Sequence, residues 1–199
     1  QLNLAAEGGI SSDFTTWQGR LLDARATGTD PSRNVRLAGP TPIKLTANAW
    51  TLGPAKLTGD PLDWQATLQA SADARQLRAS LSASGSRLGR MEGDLSAAMR
   101  GAWSLDQQAR WQGRLKTEIS DLGWLAEQIG QGWQSEGHLN GELQLAGTPA
   151  TPLTSGRIHG EKLALRLPEQ GTNLSRGELE ITLRDNLLTI QRLGFDSQL

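Results

Sequence analysis

The sequence predicts an all-β protein with one short helix, built mainly from long antiparallel strands. From Gly89 to Leu105 every odd position is apolar or glycine, while most even positions are polar, and the same alternation runs from Ala109 to Ile119. Successive side chains of a strand point to opposite faces, so this period of two is typical of a half-buried strand. We predict one strand over 89–105, about 50 Å long at roughly 3.3 Å per residue, and a second over 109–119.

The part of the chain before Gly89 holds further alternating runs. Short breaks that contain glycine, proline or aspartate interrupt them, as expected between strands. Glu7–Gly9 is predicted to be a turn, and Gly53–Pro54 to break the pattern. The predicted strand segments are Leu2–Ala6, Phe14–Gly28, Ile43–Ala49, Leu62–Ala70 and Leu77–Ala83, the last two as an antiparallel pair.

Two internal repeats indicate that the fold uses similar strands more than once. The first repeat is exact: Trp17–Leu21 and Trp111–Leu115 have the same five residues. The second is approximate: Gly137–Glu142 resembles Gly156–Glu161, and alternating leucines follow both segments. Self-similarity of this kind is typical of repeated β-units. With the runs that follow from Leu179 onward, the pattern predicts a meander in which strands are added one after another.

One segment, residues 120–130, is predicted to be helical. Ser120 or Asp121 is a suitable N-cap, and Gly130 a suitable stop. The apolar residues between them recur at helical spacing, with Trp124 off the apolar stripe. A helix this short is not stable alone, so we expect its stripe to dock on the sheet.

Composition excludes some classes of protein. The 20 basic and 21 acidic side chains nearly cancel and are scattered, so no basic patch favours nucleic acid as a partner. Without cysteine there are no disulfides or thiolate metal sites. No apolar run is long enough for a membrane helix, and no signal peptide is present. The chain begins at Gln1, already in the alternating pattern, so we interpret it as a piece of a longer protein.

The predicted sheet has one apolar face, which requires a cover. Two sheets packed as a closed sandwich would provide it, and so would one sheet curled around a ligand or partner. The apolar set is mainly Leu, Ala and Gly, with two Phe and no Tyr in the chain, which leaves room between the side chains. The seven tryptophans could fill that room, so both arrangements remain open.

No motif of a catalytic or phosphate-binding site is present, and we predict no enzyme activity, cofactor or metal. His138 and His159, the two histidines, occupy polar positions of neighbouring repeats and are interpreted as solvated strand residues. The same holds for the carboxylate pairs Glu178 with Glu180 and Glu92 with Asp94. Asn173–Ser175 matches a glycosylation acceptor, which has no meaning outside a eukaryotic secretory context.

The order of several segments resembles the TamB family of translocation and assembly module subunits, within the wider AsmA-like group. The resemblance covers about residues 106–197 and is weaker before them. It rests on the Trp-Gln-Gly-Arg-Leu strand, SDLGWLAEQIG at 120–130, GHLNGELQLAGTPATP at 137–152, GRIHGEKLALRLPEQG at 156–171 and GELEITLRDNLLTIQRLGFDS at 177–197.

The resemblance implies an elongated, curved antiparallel sheet, shaped like a half-pipe or taco, with an apolar concave groove. It implies a periplasmic protein anchored in the inner membrane through a segment outside this chain, with an outer-membrane barrel protein of the TamA type and phospholipid as partners. We expect segments 1–105 and 106–199 to form one continuous elongated β-domain. The predicted groove residues are Leu95, Met99, Trp111, Leu115, Ile119, Leu139, Leu143, Leu145, Leu163, Leu165, Leu167, Leu179, Ile181 and Leu183.

Three functions are compatible with these patterns. The first is a conduit in which phospholipid acyl chains lie in the groove on their way to the outer membrane, with support of outer-membrane protein and autotransporter assembly. The second is a scaffold or chaperone that templates the strands of outer-membrane proteins without carrying lipid. The third is an inert β-solenoid passenger or adhesin, which would have packed coils and no accessible apolar channel.

Overall fold

The computed structural model describes residues 2–27, 34–59, 63–87, 89–104, 108–124, 126 and 132–197. These residues form one antiparallel sheet of 13 strands, so the predicted all-β fold is confirmed. The strands are β1 (Leu2–Ile10), β2 (Thr16–Thr27), β3 (Asn34–Leu37), β4 (Thr41–Thr46), β5 (Ala49–Gly59), β6 (Trp64–Asp73), β7 (Gln76–Gly85), β8 (Gly89–Ala98), β9 (Trp111–Ile119), β10 (Gln134–Gly147), β11 (Pro152–Leu167), β12 (Thr172–Arg184) and β13 (Leu187–Ser197), with a 3-10 turn at Pro168–Gln170.

The sheet is a meander, as the repeats predict. From β5 to β13 each strand pairs with the strand before it, and β1 pairs with β2. β3 and β4 lie end to end, since both pair with β2 on one side and with β5 on the other. β1 and β13 are the two edges of the described sheet.

The predicted strand over 89–105 is wrong for residues 99–104, and Leu105 lies outside the described residues. β8 ends at Ala98, and the chain turns away through Met99–Ser104. The Met99 N–H donates to the Arg75 carbonyl, 2.8 Å away in the β6–β7 turn. The alternation of apolar and polar residues continues past Ala98 in the sequence, but the row of hydrogen-bond partners on the neighbouring strand ends there.

Two predicted breaks are also wrong. Glu7–Gly9 lies inside β1, and the turn to β2 comes at Ser11–Thr15 instead. Gly53–Pro54 lies inside β5, where a shift of register between Leu52 and Ala55 absorbs the irregularity. Glycine and proline mark bulges as well as turns, and the sequence alone did not separate the two.

Of the predicted helix at 120–130, the structure describes residues 120–124 and 126, and the other five lie outside the described residues. Gly123, Trp124 and Ala126 are helical. The Asp121 carboxylate accepts a hydrogen bond of 2.8 Å from the Gly123 N–H, as expected of an N-terminal cap. No helix among the described residues is long and apolar enough to cross a membrane.

Register shows how the repeats relate to one another. β10 and β11 pair so that Glu142 lies opposite Arg157 and Asn140 opposite His159, which places the two similar segments side by side. β8 pairs with β9 from Arg90 to Ala97, so the sheet continues from one predicted segment into the next.

Candidate functional site

Register gathers the apolar positions of every strand on one face, which we call the apolar face. Residues directly opposite each other in a ladder share a face. One row across the sheet runs Leu95, Gly113, Leu145 and Thr154, and another Leu81, Gly93, Leu115, Leu143, Gly156 and Leu183. The alternate positions form an opposite face, the polar face, with Glu92, Asp94, Arg114 and Lys116 at its centre.

All the predicted groove residues except Met99 lie on the apolar face. Met99 lies in the loop after β8, so its assignment to a strand face is wrong. Leu163 and Leu167 are buried, whereas the others of the set are half-buried. Four of them line one cavity: Leu95, Leu115, Leu143 and Leu145.

The cavity has a volume of about 350 Å³, and its lining surface is almost entirely apolar. Residues of six neighbouring strands, β6 to β11, contribute to it. Six flat strands would span about 24 Å at roughly 4.8 Å per spacing, so a single cavity requires the sheet to curve there. The lining residues are Leu68, Ala79, Ser80, Leu81, Gly93, Asp94, Leu95, Gly113, Arg114, Leu115, Leu143, Gln144, Leu145 and Thr154.

Gly93 and Gly113 form the floor of this cavity between leucines. Gly93 lies opposite Leu81 on β7 and Leu115 on β9. Gly113 has leucines as its direct neighbours too, on β8 and β10. The hollow therefore exists because two side chains are missing where their neighbours are long. These two glycines were not among the predicted site residues, although their alternation with leucine within each strand was a visible signal.

The loop Met99–Ser104 folds over the apolar face near one end of the strands. The Trp50 indole N–H donates to the Ala102 carbonyl at 2.8 Å, and Ala102 is 2 % exposed. Trp50 lies on the apolar face, in a row with Ala72, Leu77 and Ala97. This bond crosses from β5 to the loop after β8, so the loop covers this end of the face.

The helical segment covers the face near the opposite end of the strands. The Ser135 hydroxyl on β10 donates to the Leu122 carbonyl at 2.6 Å and accepts from the Ala126 N–H at 3.0 Å. Leu122 and Ala126 are buried, and Ser135 lies opposite Leu165 on the apolar face. The expected docking of this segment on the sheet is confirmed for its described residues.

The polar face carries short-range ion pairs. Lys116 Nζ lies 3.0 Å from Glu118 Oε1, and this hydrogen bond raises the pKa of Lys116 and lowers the pKa of Glu118. Both side chains are exposed, so such pairs contribute little to stability. Opposite charges alternate along the exposed positions, as expected of a solvated face.

The histidines lie on the polar face, as predicted. His159 Nε2 is 2.9 Å from Glu161 Oε1, and this hydrogen bond lowers the pKa of the Glu161 carboxyl. His138 lies opposite Glu161 across the ladder. The described residues include no group of three or more His, Cys, Asp or Glu side chains placed to hold a metal ion. A polar depression of about 930 Å³ lies near these residues, with His138, Arg90 and Glu118 in its lining.

Comparison with known proteins adds no relative. No protein-family model matches the chain, and neither a curated protein nor a solved structure does. The TamB-type resemblance remains a hypothesis. The two faces of the sheet and the cavity between its leucines are therefore the features that indicate a function.

Proposed function

We propose that this chain is a segment of a periplasmic bridge that holds phospholipid acyl chains against the apolar face on their way to the outer membrane. The observation that supports the proposal is the apolar cavity over β6 to β11. Burial of each methylene group contributes about 0.8 kcal/mol, and a lining without specific polar contacts lets a chain slide.

The rest of the proposal follows the family resemblance. The whole protein is anchored in the inner membrane through a segment outside this chain and meets an outer-membrane barrel protein of the TamA type. Its activity supports the assembly of outer-membrane proteins and autotransporters. In this proposal the polar face meets water, and nucleic acid is not a partner.

A second candidate is a scaffold that templates strands of outer-membrane proteins without carrying lipid. It is favoured by the edges of the described sheet, because β1 and β13 each pair on one side only. Their apolar side chains are open to solvent: Leu4 is 62 % exposed and Leu193 58 %. A long edge of this kind can accept a further strand.

The lipid proposal is tested by native mass spectrometry of the chain after purification without detergent from a Gram-negative host. We expect bound phospholipid with the wild type and its loss in Leu143→Asp, because a carboxylate in the cavity opposes an apolar chain. Asn140→Asp adds the same charge to the polar face of the same strand and serves as the matched control.

Two outcomes would contradict the lipid proposal. A wild-type chain that unfolds cooperatively and carries no phospholipid would favour the scaffold function. Photocrosslinkers at Leu115 and Leu143 that capture only nascent outer-membrane proteins and never lipid would also favour it. Circular dichroism of Leu143→Asp separates loss of binding from loss of the fold.

A further inference from the structure

The polar depression near His138 lies on the polar face and has no role in the lipid proposal. Its volume of about 930 Å³ is in the upper part of the range of ligand pockets in proteins, about 300–1,000 Å³. Four of its lining residues form one row across β6 to β9: Gln65, Ser84, Arg90 and Glu118. The depression therefore crosses several strands and can hold an elongated ligand.

Backbone geometry at two strand ends shapes the depression. Gly85 and Gly89 lie opposite each other beside the β7–β8 turn, and neither carries a side chain that would close this end. On β10 a shift of register at Gly137, which has a φ of +129°, comes directly before His138. Bulges of this kind change the direction of a neighbouring side chain. The His138 side chain lines the depression, opposite Glu161 on β11.

Several lining side chains have hydrogen-bonding capacity that the fold does not use. Within the described part of the chain, no group forms a hydrogen bond with the side chains of Gln65, Ser84 or Arg90. These three side chains offer an amide, a hydroxyl and a guanidinium group. Groups of these types form hydrogen bonds with the hydroxyl groups of a ligand, and an amide or a guanidinium can contact two neighbouring hydroxyls at once.

The charges of the lining select against an ionic ligand. Its three carboxylates outnumber its one arginine and repel phosphate or carboxylate groups; they belong to Asp63, Glu118 and Glu161. Two of these carboxylates already have partners. Lys116 Nζ lies 3.0 Å from Glu118 Oε1, and His159 Nε2 lies 2.9 Å from Glu161 Oε1. They therefore attract a cation only weakly, and an uncharged ligand rich in hydroxyl groups satisfies both constraints.

We propose that the polar depression binds an uncharged glycan, whose sugar chain crosses β6 to β9 along the row. Adjacent strands are about 4.8 Å apart, and an extended β-linked sugar chain advances by a similar distance per ring. Successive rings therefore meet successive side chains of the row, from Gln65 to Glu118. The described lining includes no Trp, Tyr or Phe, so binding depends on hydrogen bonds rather than on stacking. This site goes beyond the lipid proposal and is independent of it, because the two sites lie on opposite faces.

The experiment titrates the purified chain with cellotetraose, an uncharged β-linked glycan of four rings, and follows amide signals by NMR. We expect shifts at the lining residues, including the Gln65 side-chain amide. Arg90→Met removes a charged donor and is expected to weaken binding roughly tenfold or more. Arg157→Met is the matched control with unchanged affinity, because Arg157 is exposed on the same face, opposite Glu142, and lies outside the depression.

Two further ligands and a stability measurement complete the test. Thermal unfolding of both arginine variants verifies the fold. We expect glucose to bind more weakly than cellotetraose because it covers one strand of the row, and tetragalacturonate to bind more weakly because of its carboxylates. Tighter binding of tetragalacturonate would identify an anion site and overturn the proposal. Unchanged lining signals at millimolar cellotetraose, or equal affinities of the two arginine variants, would also overturn it.

Discussion

The same five residues, Trp-Gln-Gly-Arg-Leu, begin at Trp17 in β2 and at Trp111 in β9, and they pack differently. The Trp17 ring lies over Gly19 and over Gly8 on the neighbouring strand. The Trp111 indole instead donates its N–H to the Ala146 carbonyl at 2.8 Å, and Gly113 remains without a ring above it. One sequence therefore closes the apolar face in one place and leaves it open in another.

The neighbouring strands explain the difference. Gly8 lies opposite Gly19, so two missing side chains make room for an indole ring. Gly113 lies between Leu95 and Leu145, which occupy the space that a ring would need. A glycine in a strand thus produces a hollow only when its cross-strand neighbours prevent a large side chain from covering it.

The largest effect is expected from Trp17→Ala. Loss of the ring uncovers the Gly8–Gly19 pair and lowers the free energy of unfolding by about 2–4 kcal/mol. Chemical denaturation measures it. Trp103→Ala is the control, because Trp103 is exposed and its removal changes stability by less than about 0.5 kcal/mol. Equal losses for the two variants would mean that the Trp17 ring does not stabilise this part of the sheet.

A smaller effect separates the two repeated glycines. Gly19→Ala places a methyl group against the Trp17 ring and the Glu7 carbonyl, and overpacking of this kind costs about 1–3 kcal/mol. Gly113→Ala brings its methyl group to 2.9 Å from one backbone atom, the Asp94 carbonyl oxygen, which must shift, so we expect a loss of about 1 kcal/mol, at the low end of the same range. Thermal unfolding measures both losses of stability. A larger loss in Gly113→Ala than in Gly19→Ala would contradict the comparison.

The smallest effect concerns the turn that aligns Gly8 with Gly19. Hydrogen bonds from the Ser11 and Thr15 hydroxyls and from the Thr15 N–H lower the pKa of Asp13 from 3.8 to about 2. Since the folded-state pKa is depressed, the contribution of the carboxylate to stability is present above pH 3.8 and is lost as the pH falls through about 2.

An NMR titration of the Asp13 carboxyl measures this pKa directly. In Asp13→Asn we expect slightly lower stability than the wild type at neutral pH and equal stability near the folded-state pKa. A carboxyl that titrates at its ordinary value would show that the turn does not depend on these hydrogen bonds.

Much of the fold was predictable because its signal is local. Alternation between apolar and polar residues predicted strands and sorted residues such as Leu115 and Leu143 onto the apolar face. Strand ends were not predictable in the same way. β8 ends at Ala98 although the alternation continues, because the Met99 N–H bonds to Arg75 in another turn.

The long strands of this protein, with an apolar face and a polar face, follow from its sequence alone, since a period of two is a property of each strand. Where that apolar face is filled and where it is hollow depends on tertiary packing. Gly19 and Gly113 have the same neighbours in sequence and different neighbours across the ladder. Packing over a glycine depends on those cross-strand neighbours, which register brings together from distant parts of the chain.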